Sequence, residues 1–203
     1  TIHDFGGFPQ ELFDQQYPAP GAPKAAEEIS QAVRQPGNGA PLGLDKAEWG
    51  LDHGTWSVLK PMFPKAEIPV VQLSMDYSRS PAEHYMLGQQ LRELRERGVL
   101  IVGSGNIVHN LRAIRFDAKP GQAYDWAIEF DKVVGEQIAK GDLAALPSFQ
   151  KLGQVAVQAH PTYDHYLPLL YAAGAVDPAR DQPRFFNEDF QAASISMRSV
   201  IWS

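Results

Sequence analysis

The sequence has no cysteine among its 203 residues, which excludes disulfides and thiolate metal sites. Histidine and carboxylate are left as the metal-ligating residue types. There is no excess of positive charge either: 18 Lys and Arg stand against 24 Asp and Glu, a formal net charge of −6. The basic footprint that nucleic acid or an anionic membrane surface requires is therefore missing, and neither is an expected partner. No apolar run reaches about eighteen residues, so no bilayer-spanning helix is expected. No signal peptide is visible, and a cytoplasmic location is the default expectation. Histidine itself is scarce, with six in the chain, so each can be weighed singly.

What is present is enough apolar content, 44% of residues, to bury one core. Residues 20–34 carry Ala26, Ile29 and Val33 on one helical face before Pro36 and Gly37. The run IPVVQLSM (68–75) reads as a buried strand. Ser80-Pro81-Ala82-Glu83 is a capping box with proline at the first helical position. It opens a helix that places Leu87, Leu91 and Leu94 inward and ends at Gly98. VLIV (99–102) reads as a second buried strand, completing a βαβ unit. A further helix is expected over 124–140, with Trp126, Phe130, Val133 and Val134 inward. Residues 162–173 look helical despite Pro168, and 194–202 resemble an antiparallel edge strand. With no repeat or linker in sight, the expectation is a single α/β domain of three layers, its central, mostly parallel or mixed sheet flanked by helices.

The loop GSGNIVHN (103–110) follows the second expected strand, where α/β sheets bind ligands. It has no lysine for a phosphate loop, no third glycine of a dinucleotide fingerprint, and no glycine spacing for a nucleophile elbow at Ser104. His109 is left as its reactive candidate, against the alternative of a histidine that bonds the backbone. His165 lies in HPTYDHYLPLL (160–170), either capping an apolar helix or acting as a ligand oriented by Asp164 and Tyr166. His160, five residues earlier, has the wrong spacing to share a helical face with it and is read as structural or peripheral. His53 in GLDHGTW (50–56) could bond a phenolic substrate or satisfy a turn, and His3 in TIHDFGGFP carries the same ambiguity. His84 shares the side of Leu87 and Leu91, which favours half-buried packing. The aromatic residues Phe5, Phe8, Trp49 and Trp56 suit a planar ring and a core equally well.

Taken in order, TIHDFGGFP, YPAPG (17–21), GLDHGTW, SGNIVHN (104–110) and DHYLPLL (164–170) resemble the class III extradiol ring-cleavage dioxygenases of the DOPA 4,5-dioxygenase type, over nearly the whole chain. The resemblance implies an oxidoreductase that opens a catechol with O2 at one divalent non-haem metal ion, Fe(II) for turnover or Zn(II) as purified. It implies that His109 and His165 belong to the metal site, with His109 also a candidate acid/base. His53, with His3, would line the substrate side, and His53 is the alternative base. The family's GHGSP and SAHW motifs do not occur in this sequence, which starts at Thr1. The expectation is therefore a catalytic domain without the family's N-terminal segment. A metal-free binding protein on the same fold, or a zinc-dependent hydrolase, is the competing expectation.

Overall fold

The computed structural model describes residues 1–46 and 48–203. The chain separates into two compact units, Thr1–Ser74 and Met75–Ser203. Its class is α/β, rich in helix and poor in sheet.

In the first unit, α1 (Gln10–Phe13), α2 (Pro23–Ala32) and α3 (His53–Met62) are joined by extended segments. Proline starts α2 at its first position, and the helix stops at Val33, whose backbone is extended. Asp52 caps α3, its carboxylate accepting from the Thr55 N–H. The core here is small: Tyr17, Trp56 and Ala66, with Phe5, Leu12, Ala19, Leu51 and Leu59 packed against them.

The second unit holds α4 (Pro81–Arg95), α5 (Asp125–Ala139), α6 (Gln154–Ala159) and α7 (Leu167–Gly174). After them come β1 (Pro183–Phe186), β2 (Phe190–Gln191), β3 (Ile195–Ser196) and β4 (Ser199–Trp202). The capping box forms as expected: the Ser80 hydroxyl accepts from the Glu83 N–H, and the Glu83 carboxylate accepts from the Ser80 N–H. Leu87, Leu91 and Leu94 are buried along α4. Pro168 is no obstacle to α7 because it falls in the first turn, where no intrahelical donor is needed. On α5 the inward face is Ala127, Phe130, Asp131, Val134, Gly135 and Ile138, so Trp126 and Val133 are only partly covered. The tail pairs as antiparallel ribbons, β1 with β4 and β2 with β3.

The two interior strands expected at 68–75 and 99–102 take a different form. Both segments flank α4, but neither joins a ladder among the described residues; Val70 makes one parallel bridge to Gly21. Ile68, Val71, Leu73, Val99, Leu100 and Val102 are exposed rather than buried. An apolar β-branched run settles an extended backbone locally, whereas a ladder needs a neighbouring strand to exchange hydrogen bonds with it.

Glycine sets how closely α4 and α7 approach. A Cβ at Gly88 would collide with the Tyr171 carbonyl oxygen, and one at Gly174 with that of Tyr85. His84 is fully buried at this crossing, more deeply than its sequence position suggested, and its Nδ1 lies 2.8 Å from the Tyr171 hydroxyl.

Candidate functional site

The loop that bears His109 is stapled on both sides by main-chain bonds. The His109 N–H donates to the Ala159 carbonyl at the end of α6, and the Asn110 N–H to Ser194. The Ser196 N–H of β3 donates back to Val108. The Asn110 side chain donates to the Gln158 carbonyl at 2.7 Å. Ile107 and Val108 turn into the core between these staples. Gly103 and Gly105 let the loop lie directly on the start of α7: a Cβ at either would run into the carbonyl oxygen of Pro168 or of His165.

This geometry brings His109 and His165 together. Their rings stack with centroids 3.4 Å apart and planes 8° from parallel, although 56 residues separate them in sequence. The cap reading of His165 fails, since no side chain caps α7 and the ring stands two residues before it. Burial, with the neighbouring His165 ring, pushes the His109 imidazole down to about 4, so it is neutral at physiological pH. Asp164 completes the surroundings, with Oδ2 3.7 Å from His165 Nε2. Burial alone would raise the Asp164 carboxyl, but the Thr162 hydroxyl, its own backbone and the two histidines together hold it below its ordinary value.

His160 is structural, and central rather than peripheral. It is buried among Phe130, Phe149 and Tyr166, and its Nε2–H donates to the Ile107 carbonyl at 2.6 Å. That bond supports the backbone two residues before His109.

The other two candidates belong to the first unit. His53 opens α3, and both its backbone N–H (2.9 Å) and its ring Nδ1 (2.8 Å) engage the Asp4 carboxylate. An ionised carboxylate only accepts, so Nδ1 carries the proton and Nε2 the lone pair. Burial would raise the Asp4 carboxyl, but these bonds from His53 outweigh it and hold the group below its ordinary value. The His53 side chain is 50% exposed. His3 donates from Nε2 to the Gln15 carbonyl at 2.9 Å. Phe5 links the pair, its ring centroid 5.8 Å from that of His3 and 5.6 Å from that of His53. Phe8, Phe13 and Trp56 complete an aromatic patch, whereas Trp49 is largely exposed. Asp4 is the partner of His53 that sequence reading passed over, although it stands beside His3 in the same motif.

Among the described residues no group of three His, Asp or Glu side chains is gathered as a metal cage, and no helix is long and apolar enough to cross a membrane.

Comparison with known proteins gives the same direction. Residues 1–200 match the family described as the catalytic LigB subunit of aromatic ring-opening dioxygenase. A 4,5-DOPA dioxygenase extradiol of Escherichia coli K12 is 42% identical over 98% of this chain and 72% of its own length. The 4,5-DOPA dioxygenase extradiol of Mirabilis jalapa is 36% identical over 86% of this chain. That match spans 64% of the plant protein, so the chain corresponds to under two thirds of it. The crystal structure of an uncharacterized protein from Escherichia coli K12, JW3007, superposes with a TM-score of 0.81 at 37% identity, covering 93% of this chain and 76% of that one. A family match across almost every residue, together with relatives this similar, places the chain in the LigB family of extradiol aromatic ring-opening dioxygenases, on its 4,5-DOPA dioxygenase branch.

Proposed function

We propose that the protein opens the ring of a catechol, with DOPA as the model substrate, by adding O2 beside the ring hydroxyls at a site that includes His109 and His165. Extradiol dioxygenases of this family are non-haem metal enzymes. The observation that carries the reading is the stacked histidine pair, built by distant segments and held by main-chain bonds within such a family member.

The pair fits a divalent metal as two of its ligands: both are imidazoles, and His109 is kept neutral with its lone pair available. The chemistry a bound metal contributes is open coordination for catechol and dioxygen, with iron(II) able to give electrons that zinc cannot. The remaining work falls to side chains. A catechol must surrender hydroxyl protons to a base. His109 is read as a metal-site residue that is also a candidate acid/base. The family resemblance makes His53 the other candidate for accepting a proton; within its own unit its ring is oriented by Asp4, with Nε2 turned away from the carboxylate. The Phe5 and Trp56 rings, with His3 beside them, offer faces for a planar substrate.

Oxygen uptake by Fe(II)-loaded protein on a panel of catechols tests this. The expected result is uptake with a yellow ring-opened product, lost together with bound metal in His109→Ala and His165→Ala. No uptake with iron demonstrably bound would turn the reading toward hydrolysis or simple binding.

A further inference from the structure

We infer that Asn106 is the positioning residue that sets the tautomer of His165, keeping the proton on Nδ1 and leaving Nε2 as the lone-pair nitrogen. The use of that lone pair by a metal rests on the function proposed above; the tautomer does not.

The inference follows from which atoms can donate. The Asn106 carboxamide lies between two partners, the Ser196 carbonyl 2.9 Å from Nδ2 and the His165 Nδ1 3.1 Å from Oδ1. A carbonyl oxygen only accepts, so the group facing Ser196 must be the amide NH2. The amide oxygen then faces the ring, and an acceptor there requires a proton on Nδ1. The opposite tautomer would set the amide oxygen against a nitrogen lone pair.

The amide has little freedom to turn over, because the Ser196 carbonyl is itself fixed. The Ser196 N–H donates to Val108, and its hydroxyl donates to Asp131 Oδ1 at 2.6 Å. Asp131 is buried on α5 and receives Arg198 through Nε and Nη2 at 2.8–3.1 Å. The Asn106 N–H also donates to the His165 carbonyl at 2.9 Å, locking loop and ring at the main chain. The buried carboxylate of an ion pair thus orients a serine, the serine an asparagine, and the asparagine a histidine. Outer partners of metal-bound histidine act in this way, and their loss lowers metal affinity by about 10–100-fold.

Histidine-ring 15N spectra of the metal-free protein at mildly alkaline pH, with His165 assigned through His165→Ala, read the tautomer directly. The expected pattern is Nδ1–H in the native chain. Asn106→Leu should shift His165 toward Nε2–H and weaken zinc, measured by chelator competition, by about 10–100-fold. Asn106→Asp keeps the acceptor for Nδ1 but loses the donor to Ser196, and should restore the Nδ1–H tautomer. Nε2–H in the native protein would overturn the inference whether or not the variants fold, and so would a folded leucine variant with an unchanged tautomer. Zinc binding that survives His165→Ala while the tautomer pattern holds would instead sink the metal role of His165 and leave the inference standing.

Discussion

Each unit of the protein presents a histidine whose ring is aimed by another side chain, and the means differ. In Met75–Ser203, His165 is aimed by a neutral amide backed by the Asp131–Arg198 ion pair, beside a large buried core. In Thr1–Ser74, His53 is aimed by the Asp4 carboxylate at a half-exposed position, over a smaller core. A neutral acceptor orients a ring without drawing positive charge onto it, which suits a metal ligand. A carboxylate orients the ring as well and sets a negative charge beside it. Environment, rather than residue type, distinguishes the two rings.

The contrast is open to test, and the buried side should respond most. Asp131→Ala removes the partner that Ser196 and Arg198 share, while Arg198 keeps Glu188, and should lower unfolding free energy by about 3 kcal/mol, read by urea denaturation. A loss below 1 kcal/mol would show that the ion pair does not anchor this unit. Next comes acid sensitivity. Burial lowers His160 from 6.5 to about 4, so the folded state resists protonation that the unfolded chain accepts. Its contribution is complete above 6.5 and is lost as pH falls toward 4, a total of about 3 kcal/mol. Native stability should decline over that window more steeply than in His160→Gln; parallel curves would refute the assignment. The smallest effect belongs to the first unit. Asp4→Asn should change stability by less than about 1 kcal/mol, because the pair is partly exposed and screened. If His53 is the proton acceptor, the same change should lower kcat while leaving bound metal unaltered.

Much of the helical framework was legible in sequence because its signals are local. Ser80 and Glu83 sit three residues apart and meet in one turn, and the leucines of α4 repeat at helical spacing. His109 and His165 were likewise singled out by their motifs. The partners that aim the rings were harder to find. Asn106 meets Ser196 across 90 residues, and Asp4 meets His53 across 49. Nothing in the neighbourhood of either residue encodes the other, since such contacts arise only when the chain has packed. The segments 68–75 and 99–102, which join no ladder among the described residues, mark the same boundary, for an apolar run specifies extension but not a partner. Asp131 is instructive in another way: it interrupts the apolar face of α5 and would pass for a solvent-facing residue until Arg198 is seen beside it.

The reciprocal glycines at the α4–α7 crossing have a mechanical consequence. Gly88 lies under the Tyr171 carbonyl and Gly174 under that of Tyr85, so each helix carries a notch that receives the other's main chain. Two notches, one on each rod, index the rods like a key in its ward: sliding α7 by a single residue would drive a side chain into the space that only hydrogen now occupies. The height of His165, two residues before α7, is therefore set in discrete steps rather than along a continuous scale.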